Sequence, residues 1–96
     1  MDAPAAIDQF EKNGMKVYPN PFSGEATVTF YLMNPENVVL NLYSSTGQLV
    51  RSMNKGNFPS GNQECTLDAR NLPNGIYMLK MQAGAQIHIC KVSVNN

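Results

Sequence analysis

Nucleophilic catalysis needs a thiol or hydroxyl, a base within hydrogen-bond reach and usually a third group that orients the base. This chain has one histidine, His88, and two cysteines, Cys65 and Cys90. No serine or cysteine sits in a strained strand-to-helix elbow or at a helix start, so catalytic residues are expected to be none. His88 and Cys90 are two apart, which places them on one strand face, and Cys65 could join them from a neighbouring strand. Structural zinc more often uses closely spaced pairs with a fourth ligand in reach. None is evident, so the expectation for metal and for any cofactor is also none. Two readings of the cysteines stay open: buried thiols, or a Cys65–Cys90 disulfide if the two strands come close enough. Tyr31, Tyr43 and Phe58 are candidates for a sugar-stacking platform, which would need at least two of the rings coplanar on one surface. The competing explanation is strand propensity and cross-strand packing.

These residues have to be carried by a modest scaffold. A chain of 96 residues fits one domain with a core too small for a large internal cavity. Seven basic side chains balance seven acidic ones without blocks, so no basic patch marks a nucleic-acid partner. The longest apolar runs, such as Val38-Val39-Leu40, fall far short of the roughly 20 residues of a membrane-spanning helix. The start, Met1-Asp2-Ala3-Pro4-Ala5-Ala6, has neither the positive segment nor the apolar stretch of a secretory signal. The expectation is a cytosolic protein or a portion of a longer precursor.

Residues 1–14 mix Ala, Pro and charge and read as a linker that Asn13-Gly14 closes. Short punctuated runs then follow one another with strand periodicity. Seven strands are expected: 16–18, 26–32, 38–43, 49–53, 63–68, 76–82 and 86–94. Pro19-Asn20-Pro21 ends the first, because proline cannot donate a ladder hydrogen bond, and an ordered corner should follow. In the second, Ala26, Val28, Phe30 and Leu32 alternate with Thr27, Thr29 and Tyr31, predicting one buried and one wet face. Ser44-Ser45-Thr46-Gly47 predicts a hairpin turn with Gly47 at positive φ, and Leu72-Pro73-Asn74-Gly75 predicts another. Two glycines and a proline within 54–62 predict a loop. Cys65 and Leu67 should share a face. The core is expected to hold Val28, Phe30, Leu40, Leu42, Leu67, Tyr77, Leu79 and Val92, with Met81 facing inward beside Leu79.

The succession Val17-Tyr18-Pro19-Asn20-Pro21, Val38-x-Leu40-x-Leu42-Tyr43-Ser44-x-x-Gly47, Leu72-Pro73-Asn74-Gly75-Ile76-Tyr77 and Lys91-Val92-Ser93-Val94 resembles the type A C-terminal sorting domain of the type IX (Por) secretion system of Bacteroidetes. The resemblance covers about residues 15–94. It implies an immunoglobulin-like antiparallel β-sandwich of about seven strands, the sorting domain at 15–96, attached behind a passenger that crossed the inner membrane by the Sec route. It further implies export through the outer-membrane translocon with its shuttle proteins, removal by a surface sortase-like cysteine protease, and a secreted or cell-surface destination via the periplasm. The residues it singles out are Tyr18, Pro19, Asn20, Pro21, Gly47, Gly75, Tyr77, Lys91, Val92 and Val94. Asn95-Asn96 and Cys90 depart from the family's pattern.

Three function classes follow: a sorting signal, a carbohydrate-binding module, and a structural spacer. A sorting domain has to stand last in its precursor, which separates it from the other two. For Gly47, Gly75 and Tyr77 the plain reading is turn and core. For Lys91 two readings stand side by side, an edge lysine that discourages strand pairing and a recognition contact. Cleavage is expected before Met15, in the open linker. Export information is expected in the final hairpin, 75–94, with the chain end available as an exposed edge strand.

Overall fold

Each run of alternating residues becomes a strand because its apolar set can be buried only on one side of a pleated ribbon. A computed structural model describes residues 15–96. Its strands are β1 (Met15–Tyr18), β2 (Glu25–Leu32), β3 (Glu36–Ser44), β4 (Leu49–Phe58), β5 (Gly61–Asp68), β6 (Gly75–Ala83) and β7 (Gln86–Val94). They form a three-stranded sheet, β1-β2-β5, and a four-stranded sheet, β4-β3-β6-β7, antiparallel throughout. This is the strand order of an immunoglobulin-like sandwich in which the fourth strand pairs with the third. No helix among the described residues is long and apolar enough to cross a membrane.

The two inner faces meet over one core. Val28, Leu32, Leu40, Leu42, Leu67, Leu79, Met81 and Val92 are fully buried, and Phe30 and Tyr77 nearly so. Every residue expected in the core is there. Tyr77 lies near the start of β6 and its hydroxyl donates to the Pro73 carbonyl, the tyrosine corner of immunoglobulin-like domains. This bond pins the 72–75 turn to the core. The Ser44–Gly47 turn also forms as expected: Gly47 N–H donates to Ser44 O at 2.9 Å and Gly47 takes φ 90°.

The expected loop at 54–62 is corrected by the structure. Strand β4 runs on to Phe58 and β5 begins at Gly61. Val38 pairs with Gly56 while Val39 pairs with Asn54, so Lys55 is an extra residue bulged out of the ladder, and Gly56 takes φ 91°. The glycine marks a bulge that bends the strand, not its end. The continuation places Phe58 edge-on to Phe30, with ring centroids 5.4 Å apart. The linker read into residues 1–14 lies outside the described residues.

Candidate functional site: a clasp between the first corner and the last strand

Strand β7 is an edge strand, and such an edge normally leaves N–H and C=O groups unpaired. The corner after β1 covers its last part. Asn20, held between prolines whose peptide bonds are both cis, turns its amide onto the edge: Oδ1 accepts the Ser93 N–H at 2.8 Å and Nδ2 donates to the Lys91 carbonyl at 3.3 Å. One side chain thus supplies the donor and acceptor that a neighbouring strand would offer. Two residues on, Phe22 N–H donates to Ser93 O at 3.0 Å and Asn95 N–H donates to Phe22 O at 2.9 Å, a parallel bridge between Phe22 and Val94. Phe22 drops into the core beside Val94.

The last two residues extend the clasp to the loops after β1 and β5. Asn96 accepts the Gly24 N–H on Oδ1 at 2.7 Å, and its Nδ2 donates to the carbonyls of Ala69 (3.0 Å) and Leu72 (2.9 Å). Its own N–H donates to Asn74 Oδ1 at 2.7 Å. The expectation that the chain end is available as an edge strand is therefore overturned for residues 91–96. The physical reason is that asparagine carries both a donor and an acceptor on one short arm and can satisfy a backbone edge without being in a strand.

Most of the residues singled out from the sequence converge here. Tyr18, Pro19, Asn20 and Pro21 form the exposed corner. Lys91, Val92 and Val94 lie in the strand it covers, with Val92 opposite Tyr77 and Val94 opposite Gly75. Gly47 stands apart in the β3–β4 turn. Sequence reading missed Phe22, Asn74, Asn95 and Asn96. Only the apolar Phe22 offered a signal; the asparagines gave none, because their bonds reach across as many as 73 positions, from Asn95 to Phe22.

Beside the clasp lies an open cleft of about 500 Å³ lined by Ser23, Gly24, Arg51, Asp68, Arg70, Asn71 and Asn96. Its two arginines are both tied to its one aspartate. Arg70 grips Asp68 with two bonds of 3.0 Å, and Arg51 Nη1 donates to the carbonyls of Asp68 and Arg70. The Arg70 side-chain and backbone bonds hold the Asp68 carboxyl well below the usual carboxylate range.

The other candidates do not assemble. Cys65 is in β5 and Cys90 in β7, on different sheets, and both are free thiols. Burial pushes both thiols up, against a smaller pull from Lys55 on Cys65, which disfavours the nucleophilic thiolate. Burial lowers the His88 pKa. The disulfide reading is therefore not the arrangement seen. The sugar platform also fails to form from its three rings. Tyr31 is on the outer face of the β2 sheet and Tyr43 on the outer face of the β3 sheet, on opposite sides of the sandwich, while Phe58 packs inward.

A family model for the secretion system C-terminal sorting domain matches residues 16–95. The chain belongs to that family. The sorting domain is also similar in fold to part of PorZ, an essential bacterial surface component of the type IX secretion system of Porphyromonas gingivalis. The TM-score is 0.58 at 20% identity, over 91% of this chain. The match spans 12% of the PorZ chain, and at that identity it speaks for the fold alone. A comparison with curated proteins returned no match. Membership in the family makes the domain a type IX sorting signal and implies export to the cell surface or beyond.

Proposed function

We propose that this domain is a non-catalytic C-terminal signal that carries a passenger, attached at its N-terminal side, across the outer membrane, and that a sortase-like cysteine protease at the surface then removes it. The translocon and its shuttle proteins are the expected partners. The observation that carries this reading is the clasp: the two segments that hold most of the sorting-motif residues, 18–21 and 91–94, meet as one surface feature although they are separated by most of the chain. A recognition protein can read them together only in the folded domain. Cleavage is assigned to residues 1–14, because backbone tied into ladders from Met15 onward resists a protease.

The test is a reporter enzyme with a Sec signal, fused to the full chain and produced in a bacterium that has the type IX system. Reporter is expected at the surface or in the medium with the domain and in the periplasm without it. Equal retention in both cases would sink the reading. Mass spectrometry of the released passenger should find its end before Met15, and an end beyond Tyr18 would refute the assigned cleavage.

A further inference from the structure

The clasp closes only part of the β7 edge. Ser93 presents both its N–H and its C=O to the corner, and Lys91 its C=O. The β6–β7 register is unbroken from Gly75 to Ala83, so by the alternation of an antiparallel ladder Ile87 and Ile89 point their backbone groups to the same side. Among the described residues no strand pairs with them there. The usual protections of an edge are proline, a bulge or a charge, and 86–90 has none of them.

The side chains beside this open stretch are apolar and flanked by cations. Ile87 and Ile89 are 50% and 59% exposed on the outer face. Lys80 lies opposite Ile89, and Lys91 lies opposite Met78. Among the described residues no carboxylate stands on that outer face. The only one in the four strands, Glu36, sits in register with the inward-packed Phe58. Lys91 does not guard an open edge either, since its carbonyl already accepts from Asn20.

On the sorting-signal reading, we infer that the β7 edge at 86–90 is where a partner protein adds an extended strand, one that carries apolar residues against Ile87 and Ile89 and carboxylates against Lys80 and Lys91. Strand addition takes affinity from main-chain hydrogen bonds and specificity from alternate side chains, and this edge offers both. Charge complementarity selects the acidic partner. A second copy is disfavoured: an isologous β7–β7 pairing would set the same cationic face beside itself, Lys80 and Lys91 of each copy meeting no carboxylate of these four strands on that face. A membrane surface is disfavoured by the polar row Ser52, Asn41 and Lys80 that crosses the face beside Ile89.

The test uses the exported reporter fusion with the full chain. Ile89→Pro removes an N–H that points away from β6, so the existing ladder keeps its bonds while an added strand cannot form. Export is expected to fall at least tenfold while the purified chain keeps its thermal midpoint. Should the proline disturb folding, Ile87→Thr with Ile89→Thr serves instead and should give the same loss. Lys80→Glu with Lys91→Glu should reduce export about tenfold, and Lys80→Arg with Lys91→Arg should restore it. Tyr31→Thr, on the opposite face, should export as the parent does.

Parental export with Ile89→Pro and with the double threonine variant would overturn the inference while leaving the sorting function standing. Export unaffected by charge reversal would overturn the acidic partner. Sedimentation of the parent as a dimer that Ile89→Pro dissociates would assign the edge to a second copy. Binding of the purified chain to phosphatidylglycerol vesicles, lost in the same variants, would assign it to a membrane. Either would overturn the proposal. A parental fusion held inside the cell would instead refute the sorting function, and this inference with it.

Discussion

The two sheets of the sandwich bury similar inner faces but show solvent opposite outer ones. The β1-β2-β5 strands carry one cation, Lys16, against Glu25, Glu64 and Asp68, a net of −2, with Thr27, Thr29 and Thr66 at outward positions between them. The β4-β3-β6-β7 strands carry Arg51, Lys55, Lys80 and Lys91 against Glu36, a net of +3, with Tyr43, Met78, Ile87 and Ile89 outward. The chain's zero formal charge conceals strands of opposite net charge in the two sheets. An inner face answers to packing alone, so both sheets converge on the same apolar set. The outer faces are under no such constraint, and their divergence is where function can be read.

The comparison breaks first if the inner faces are unequal. Phe30→Ala in β2 and Leu79→Ala in β6 should each cost roughly 2–5 kcal/mol, read as a lower urea midpoint with unchanged slope. A parental midpoint for either would mean that its sheet does not share the core. The clasp comes next. Asn96→Ala deletes three side-chain hydrogen bonds and should cost about 1–3 kcal/mol. Asn20→Ala deletes two and should cost about 1–2 kcal/mol, with faster amide exchange at Ser93 than at any residue of β3.

Acid probes the negative sheet through Asp68. The folded Asp68 pKa lies below its unfolded value of about 3.8, so its contribution is complete above pH 4 and fades as pH falls toward the folded value. The thermal midpoint should decline more steeply below pH 4 in the parent than in Asp68→Asn. Equal slopes would detach the carboxylate from stability. The smallest effect is on the positive face. Lys91→Ala and Ile89→Thr should each change stability by no more than about 0.5 kcal/mol, in contrast to the loss of export expected from the Ile87/Ile89 double variant, and a larger destabilisation would return these residues to a structural role.

The strand periodicity made the core legible: Val28, Phe30, Leu40, Leu42 and Leu79 sit where alternation puts them, because a one-residue slip would turn each outward. The 54–62 segment was not legible, since glycine serves loops and bulges alike and only pairing with Val38 decides which. The candidate site was half legible. The prolines and Asn20 announce a corner, but nothing local tells that its amide meets Lys91 and Ser93. Asn95 and Asn96 looked like departures from a pattern and proved to be fasteners, because a polar side chain shows its role only beside the backbone that it satisfies.

The clasp also sets an order of events. Residues 91–96 are the last of this sequence to leave the ribosome, and the corner at 19–22 stays incomplete until they arrive. Contacts of such long separation close late and slowly. A chain cut short within residues 91–96 would lack the joined surface, because Asn20 and Phe22 would then have no strand backbone to bond.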